Sequence, residues 1–529
     1  MKYLLCGVAA MAVLSGCGNS TDEPGEEKLD EITLRAGDPA EAGSVITAMS
    51  LTNSGDGVVQ YGNKSVDGAT ATFSDVTIAG DEDGAVKAGS LEFEGLDMVE
   101  DKASFSRMTL NNISIDNPDN ETDTVKVAKL EVLNPTPELA AWLAASLGTG
   151  EPAPFPSADQ LGFDAWTISD VSAAFSDDDG EGSFSIGSFQ VRDLADQKAK
   201  RATLSDLAFD FMANEDGEDV PVKMSLGNMS ISGLDLAFIE AIQQNMDDEE
   251  EMFAAVMDKV YDEPMDPGYD RATMDSFLIE AAGASFAMPS FDASITRNDA
   301  GQPVKYVTKP FTMTLDADAD GGEAGAGLAQ ALSMVGYEKV EMKAAGIADY
   351  DPESDVVTME ADDNYFELVD GAKFSMGAKL GGYAAYSKAA ANAFDFEAMA
   401  EGAEPDPMAF QNALNELDFY GFELSIKDDS LMNRIFNAYA AQSGQDPEQM
   451  RQQVASMAQM APMMAQGSGV DMELVTEFSQ AVSAFITDPG TLTLKIDPEE
   501  PLSAETLAAM EDPSMLTKEY LGFSATHKN

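Results

Sequence analysis

Two short sequence templates alternate along the first half of the chain and constrain its fold more than any other feature. The first has the form Thr-apolar-Ser-Asp-apolar and occurs at residues 72–76, 167–171 and 203–207, with a relaxed copy at 109–113. The second has the form small-polar-apolar-polar-apolar and occurs at residues 89–93, 128–132, 187–191 and 227–231. Apolar residues two positions apart lie on one face of a strand, so the templates predict half-buried β-strands.

The first large apolar residue of each copy is a candidate core residue, which we call an anchor. Successive anchors are about twenty residues apart, the length of one strand and its turn, with one doubled interval. The doubled interval holds a proline-bounded insertion around Pro135 to Pro156, in which a short helix is predicted at residues 138–147. The anchors are Phe73, Leu91, Leu110, Leu130, Ile168, Phe189, Leu204 and Met229.

Polar turns separate the predicted strands. Acidic clusters that end in glycine occur at residues 81–84, 177–180 and 214–217. Ser, Asp or Asn follow many of the anchors, where these residues predict a bend or a bulge. We therefore predict an α+β fold, in which a long antiparallel β meander of about twenty-residue units has one apolar and one acidic, solvated face. A helix-rich C-terminal part follows it.

The pattern divides the chain into five segments. They are a signal peptide (1–16), a lipidated cysteine with a flexible tether (17–44), the repetitive antiparallel β region (45–235), a mixed region (236–380) and a helix-rich region with a terminal strand (381–529). Two short helices are predicted within residues 234–261, and strands near 284–295, 304–315, 339–348, 356–369 and 491–496. Further helices are predicted near 382–399, 407–417, 431–442, 447–464 and 473–487, and from Ser503.

The charge balance excludes several classes of function. The chain has 95 acidic and 30 basic residues, a formal charge of −65, so direct binding to nucleic acid or to an anionic bilayer surface is not expected. The one histidine, His527, argues against histidine-based catalysis and most zinc sites. No phosphate-binding loop, nucleophile elbow or zinc-protease motif occurs, and we expect no enzymatic activity.

The first seventeen residues predict export. Lys2 precedes an apolar run that ends in Leu14-Ser15-Gly16-Cys17, and a run of this length is typical of a secretory signal. The Leu-Ser-Gly-Cys end resembles the lipobox of bacterial lipoproteins. That resemblance implies cleavage after Gly16, lipidation of Cys17 and, with Gly18 rather than aspartate next, anchorage in the periplasmic leaflet of the outer membrane. The alternative is an ordinary cleaved signal in which the cysteine occurs by chance.

The repetitive strands of an exported chain also resemble, across about residues 45–380, the β-grooves of AsmA-like and TamB-like envelope proteins. The resemblance depends on pattern, and those families are usually held by a transmembrane helix. Residues 417–501 resemble uncharacterised proteobacterial envelope proteins, a likeness that implies no activity.

Two clusters are candidate metal sites. Asp316, Asp318 and Asp320 with Gly321 match the first half of a calcium loop, but the twelfth position is Gly327 rather than glutamate, which favours an acidic solvated turn. No other cofactor is indicated. Six methionines crowd one helical region, namely Met450, Met457, Met460, Met463, Met464 and Met472. Thioethers bind copper(I), but the region has no cysteine or histidine to share the ion. Ordinary helix packing is favoured, with a lipid-contacting surface as the alternative.

Two main interpretations of function remain. In the first, a lipid-anchored protein binds or guides lipid acyl chains in an apolar β-groove. In the second, it is a structural or interaction scaffold of the envelope, with a closed core and protein partners. A third interpretation is a surface lipoprotein with calcium-braced repeats. The residues predicted to line the groove are Phe73, Leu91, Phe93, Leu110, Leu130, Phe189, Leu204, Met229, Met460 and Met463.

Overall fold

Consecutive antiparallel strands make up most of the described chain, and the helices lie mostly in its C-terminal part, which confirms the predicted fold class. The structure is a computed structural model that describes residues 29, 31–78, 85–116, 124–148, 156–177, 180–215, 218–235, 265–319, 321–391, 412–466, 469–503 and 516–529. The chain divides into two units. The first comprises Met1–Lys259, Gly268–Ala282 and Pro289–Asp292, and the second Val260–Pro267, Gly283–Met288 and Ala293–Asn529.

The first unit contains thirteen described strands. They are β1 (Val59–Gln60), β2 (Asn63–Asp67), β3 (Thr70–Ile78), β4 (Val86–Glu94), β5 (Asp97–Val99), β6 (Lys102–Ser104), β7 (Arg107–Asp116), β8 (Thr124–Leu133), β9 (Phe163–Asp177), β10 (Gly180–Ala195), β11 (Lys198–Glu215), β12 (Glu218–Asp235) and β13 (Arg271–Ala281). Its described helices are α1 (Ala42–Ala48) and α2 (Pro137–Gly148), with a 3-10 turn at Ala158–Gln160. Helix α2 confirms the helix predicted in the insertion.

Each main strand of this unit pairs with the next in chain order. The ladder runs from β3 through β4, β7, β8, β9, β10, β11 and β12 to β13, and every pairing is antiparallel. Strands β1 and β2 both pair with β3. Strands β5 and β6 form a separate hairpin against which α1 and α2 pack, and Val45, Ile46, Leu139 and Leu143 are buried there.

Residues 31–44, assigned to the flexible tether from sequence, make defined contacts with this unit. The backbone N–H of Arg35 donates to Asn134 Oδ1 at 3.1 Å, and its guanidinium donates to the carbonyl oxygen of Pro135 at 2.5 Å. The N–H of Asp38 donates to the carbonyl of Leu96 at 3.0 Å. Arg35 and Asp38 therefore bind residues that follow the ends of β8 and β4, and residues 31–44 are not a free tether.

The second unit contains the later strands, and the residues of β14 are divided between the units. The strands are β14 (Ala284–Arg297), β15 (Pro303–Ala317), β16 (Val340–Asp351), β17 (Val356–Met359), β18 (Tyr365–Leu368), β19 (Ala372–Gly381), β20 (Asp418–Asp428), β21 (Thr491–Ile496), β22 (Leu502–Ser503) and β23 (Ser524–Lys528). The helices are α3 (Glu323–Met334), α4 (Tyr383–Ala391), α5 (Leu431–Ser443), α6 (Pro447–Gln459), α7 (Ala461–Met464), α8 (Met472–Thr487) and α9 (Lys518–Leu521), with a 3-10 turn at Leu414–Glu416.

Asn364 explains why the single strand predicted at 356–369 is two strands. Strands β17 and β18 both pair with β16 and β19, but residues 360–364 leave the ladder. The amide of Asn364 accepts from the N–H of Ile347 and donates to its carbonyl, both at 2.9 Å. A side chain thus replaces the missing backbone partner of a strand residue.

Helices α5, α6 and α8 form a layer beside the last strands. Helix α6 begins after Asp446, whose side chain accepts from two backbone N–H groups, with Pro447 at the first turn. The guanidinium of Arg451 is buried and donates to the carbonyl of Ile486 at the end of α8, at 3.0 Å, and to Asn433 on α5. One buried cation therefore joins the three helices.

The last strand is held to α8 by charged groups. Glu477 accepts the N–H of Ala525 at 2.9 Å, and its carboxylate lies 2.5 Å from Lys518 Nζ. Hydrogen bonds from Lys518 and Ala525 lower the pKa of Glu477. Asp471 accepts the N–H of Lys518 at 2.7 Å, and hydrogen bonds from the N–H groups of Lys518 and Glu473 lower the pKa of Asp471.

Several predicted elements fall on residues that are described only in part. Helix α4 corresponds to the first part of the predicted helix 382–399, and of 407–417 the described part ends in the 3-10 turn. The helices predicted within 234–261 and from Ser503 lie almost entirely outside the described residues. Strand β13 and helix α3 were not predicted. Residues 273–277 of β13 form a relaxed copy of the first template that the sequence analysis missed, and α3 has no strong apolar period.

Candidate functional site

The eight sequence anchors form one continuous row across the first unit. Each anchor lies directly opposite the next on the neighbouring strand, so the row crosses the sheet in register and ends at Met274 on β13. Every member is buried, with at most 4% of its surface exposed. The order of the row is Phe73, Leu91, Leu110, Leu130, Ile168, Phe189, Leu204, Met229 and Met274.

A second apolar row runs beside the first. It includes Phe93, which packs edge-on against the ring of Phe105 at a centroid distance of 5.3 Å. Its members are again directly paired across the strands and almost all are buried. They are Ala71, Phe93, Met108, Val132, Trp166, Val191, Ala202, Ile231 and Ala272. These two rows are covered core in this structure rather than open groove lining.

A line of left-handed residues crosses the sheet beside the anchor row. Asp75, Asn112, Asp170, Asp206 and Ser276, on alternate strands, have φ between 52° and 57°. Asp and Asn tolerate this conformation better than most residues. The fourth residue of the first template is therefore the residue that kinks its strand.

The second template supplies the space that these kinks need. Gly89 lies against Asn112, Gly187 against Asp206, and Gly227 against Ser276 on the neighbouring strand. A Cβ atom on Gly187 would lie 2.8 Å from the Cβ of Asp206, and one on Gly227 would lie 3.1 Å from that of Ser276. Strands that carry the first template and strands that carry the second are thus complementary. The first kind contains the kink, and the second contains the small residue beside it.

We call this line of left-handed residues the kink line. At the kink line, the interval between successive core-facing residues along a strand changes from two positions to three. On β3 the step runs from Phe73 to Val76, and on β4 from Leu91 to Ala88. Val76 and Ala88 are directly paired and both are buried. Strict alternation extended from the anchors would therefore assign the wrong face to every residue beyond the kink.

Beyond the kink the apolar face continues to the far end of the long strands. Residues directly opposite on neighbouring strands share a face, and pairing connects Phe184 and Phe209 through to the buried residues Ile78 and Val86. The two phenyl rings contact each other with centroids 4.7 Å apart. This row consists of Ile78, Val86, Ile115, Val125, Ala173, Phe184, Phe209, Met224 and Ile279.

The last row at this end lies on β9 to β13 and is the least covered. Phe175 is 41% exposed, and Phe184, Phe209 and Phe211 are partly exposed. Phe175 and Phe211 lie on either side of Gly182, whose missing side chain leaves room for the Phe175 ring. We call Phe175, Phe184, Phe209 and Phe211 the aromatic end of the sheet; sequence analysis missed them because of the shift in face at the kink.

The opposite face at this end is polar. Ser172, Ser183, Asp210 and Lys223 alternate with the aromatic residues, and Lys223 Nζ lies 3.2 Å from Asp210 Oδ2 on the paired strand. A pair this exposed contributes little to stability. The sheet is therefore amphipathic at the aromatic end.

The two methionines predicted for the groove belong to the other unit. Met460 follows the end of α6 and Met463 lies on α7, and both are exposed. Of the other four methionines in this cluster, Met450 packs partly buried against Phe436, Ala455 and Ile486, whereas Met457, Met464 and Met472 are exposed. The structure therefore does not place Met460 and Met463 on the sheet of the first unit.

The acidic segment at 316–327 differs in form from a calcium loop. Asp316 is the last residue but one of β15, and its carboxylate accepts the N–H of Ala317. Helix α3 begins at Glu323, so Gly327 is a helical residue. The segment follows a strand rather than a helix, and Gly327 has no carboxylate to supply the bidentate ligand of a calcium loop. Asp318 is described but Asp320 is not, and calcium binding stays a prediction.

Gly16 and Cys17, the predicted cleavage and lipidation positions, lie outside the described residues. Among the helices that the structure describes, none has the length and apolar character needed to span a bilayer.

Comparison with known proteins gives one family match. A family model described only as an uncharacterised protein matches residues 365–528. The matched range runs from β18 to the last strand, lies in the second unit and covers less than half of the chain. No curated protein matches the sequence.

Proposed function

We propose that this chain is a lipid-anchored protein of the bacterial envelope that binds lipid acyl chains on the apolar face of its first unit. In this proposal Cys17 carries the anchor after cleavage at Gly16, and the protein lies in the periplasmic leaflet of the outer membrane. No catalytic step is assigned to it. The ligand contacts the aromatic end of the sheet rather than the buried anchor rows.

One observation carries the proposal. The apolar face continues beyond the buried core for two further rows, and there Phe175, Phe184, Phe209 and Phe211 are partly exposed. A soluble protein rarely leaves four aromatic residues of one face accessible without a use for them. The surface is therefore available for an apolar ligand.

The dimensions of this surface suit an acyl chain. Neighbouring strands are about 4.8 Å apart, so the strands from β9 to β12 span roughly 14 Å across the row. Each methylene group removed from water contributes about 0.8 kcal/mol, so even a partial contact along an acyl chain is favourable. The residues of these two rows carry no charge, which agrees with recognition of the hydrocarbon chain of a lipid rather than its headgroup.

A second candidate function has its own supporting observation. Seven of the eight anchors were predicted to line a groove, and all eight are at most 4% exposed. A closed core of this kind is expected of a scaffold that binds other envelope proteins and no lipid. In that case the aromatic end contacts a protein.

Native mass spectrometry of the mature chain from Gly18 onward, purified without detergent, tests the proposal. We expect a bound phospholipid or fatty acid that is lost when Phe184 and Phe211 are both changed to Ser. The variants Phe184→Leu and Phe211→Leu, which keep the apolar surface, should retain it. A folded wild-type protein with no bound lipid, even after incubation with fatty acid, would favour the scaffold.

A further inference from the structure

A short segment of the second unit combines exposed methionines with a complete lack of charge. Met457, Met460, Met463 and Met464, which we call the methionine tip, are 57%, 47%, 77% and 82% exposed. They lie at the end of α6 and on α7. Residues 452–470 contain no charged side chain, although about one residue in four of the whole chain is charged.

The methionine tip is held firmly by the residues beneath it. The amide of Gln459 donates to the buried Ser483 Oγ on α8 at 3.0 Å, and Arg451 joins the other end of α6 to α8. The N–H groups of Met463 and Met464 donate to the carbonyl of Met460 at 2.9 and 3.1 Å, which continues the helical path past Pro462. The exposed side chains are therefore presented by a preorganised backbone.

We infer that the methionine tip is a contact surface for the bilayer, inserted among the lipid headgroups and upper acyl chains. This inference rests on the proposed membrane anchorage, not on acyl-chain binding by the first unit. A chain with a formal charge of −65 is repelled by an anionic surface, and an uncharged segment is the part that approaches a membrane at the least electrostatic cost. Methionine suits this role because its flexible thioether adapts to irregular apolar surroundings.

The size of the tip favours a membrane over a protein partner. Burying one methionine side chain removes on the order of 100 Å² of apolar surface, so the four together offer at most about 400 Å². A stable protein interface needs about 800 Å² on each partner. A bilayer contact has no such requirement when a lipid anchor already keeps the protein at the surface, because the second contact forms at a high effective concentration.

Flotation with phosphatidylcholine vesicles tests the inference. It uses the protein from Gly18 onward, which lacks the lipid anchor at Cys17. We expect weak binding to these zwitterionic vesicles, weaker binding when phosphatidylglycerol is included, and no loss of binding to phosphatidylcholine as salt is raised. The substitutions Met463→Gln and Met464→Gln should each weaken binding by about tenfold. Met463→Leu and Met464→Leu should retain it, as should Met334→Gln, which changes an exposed methionine on α3.

The controls separate the alternatives. Absence of wild-type binding, or unchanged binding of the Met463→Gln/Met464→Gln double variant, would overturn the inference. Equal loss with glutamine and leucine would also overturn it, because it would require thioether chemistry such as copper(I) binding. A dimer that dissociates in the glutamine variants, measured by sedimentation without vesicles, would assign the tip to a second copy of the chain. The variant Phe184→Ser/Phe211→Ser should bind vesicles normally, so the failure of either proposal can be recognised separately.

Discussion

Gly187 and Asp206 lie against each other on β10 and β11, and the absence of a side chain on the first permits the left-handed conformation of the second. Asp206 has φ of 52°, and a Cβ on Gly187 would lie 2.8 Å from the Cβ of Asp206. The same relationship recurs at Gly227 and Ser276 one strand pair further along. These contacts set the line at which the core-facing spacing of every main strand changes.

Gly187→Ala should therefore destabilise the first unit by about 1–3 kcal/mol. The added methyl group would meet the Cβ of Asp206, which is fixed to the backbone of a paired strand and cannot easily move away. Gly43→Ala is the matched control. Gly43 lies in α1 with open space around its Cβ position, and the change should be neutral or stabilising by up to about 1 kcal/mol. Denaturant unfolding followed by tryptophan fluorescence measures both, since Trp142 and Trp166 both belong to the first unit. Equal effects of the two changes would contradict the role assigned to the kink.

The anchor row predicts coupled substitutions. Phe189→Ala should cost about 3–5 kcal/mol of unfolding free energy and Leu204→Ala about 2–5 kcal/mol. Because the two residues are directly paired, the double variant should depart from the sum by at least about 0.5 kcal/mol. Phe175→Ala, at the exposed end of the same face, should cost less than about 1 kcal/mol. Strict additivity at Phe189 and Leu204 would count against direct contact.

Arg451 should be essential to the helical layer of the second unit. Its guanidinium donates to Ile486 and Asn433 and lies over the ring of Phe436, 5.0 Å from the centroid. Arg451→Ala leaves these partners unsatisfied and should lower the stability of α5, α6 and α8 by about 2–3 kcal/mol. Hydrogen exchange of those helices measures the effect, with the exposed neighbour Gln452→Ala as the control. Unchanged protection in the Arg451 variant would refute the assignment.

Acid should release the last strand. The pKa of Glu477 is lowered in the folded state, so its contribution to stability is complete above the unfolded value of 4.5 and is lost as the pH falls through the folded value. The lowered pKa of Asp471 acts in the same direction, and its contribution is lost below its unfolded value of 3.8. Glu477→Gln should flatten the fall in melting temperature below about pH 4.5. A wild-type melting temperature that rises on acidification through this range would contradict the role assigned to Glu477 and Asp471.

The templates predicted the eight main strands β3, β4 and β7 to β12 and the anchor residue on each. Apolar alternation identified Phe73, Leu91 and Leu110, and one hairpin-sized step between anchors is what places consecutive anchors opposite one another. At the kink line, the sequence predicted only a bend or a bulge after each anchor. The effect of the kink line on the facing of Phe184 and Phe209 depends on the contact between Asp206 and Gly187, a relationship between strands that periodicity within one strand does not contain.

Other features depend on contacts between distant residues. The interruption at Asn364 follows from its bonds to Ile347, and the ordering of Arg35 from its bond to Asn134, ninety-nine positions away. The burial of the anchors and the exposure of Phe175 depend on which elements cover each row, and no local pattern records that. The methionine cluster was evident in the sequence, but packing alone distinguishes the partly buried Met450 from the exposed Met464.

Photocrosslinking tests most directly the proposal that acyl chains bind at the aromatic end of the sheet. The mature chain is incubated with a fatty acid that carries a terminal diazirine, irradiated, digested and sequenced by mass spectrometry. We predict that labelled residues lie on β9 to β12 beyond the kink, close to Phe175, Phe184, Phe209 and Phe211, and that unlabelled fatty acid competes. Labelling that is absent, uncompeted or confined to other parts of the chain would contradict the account.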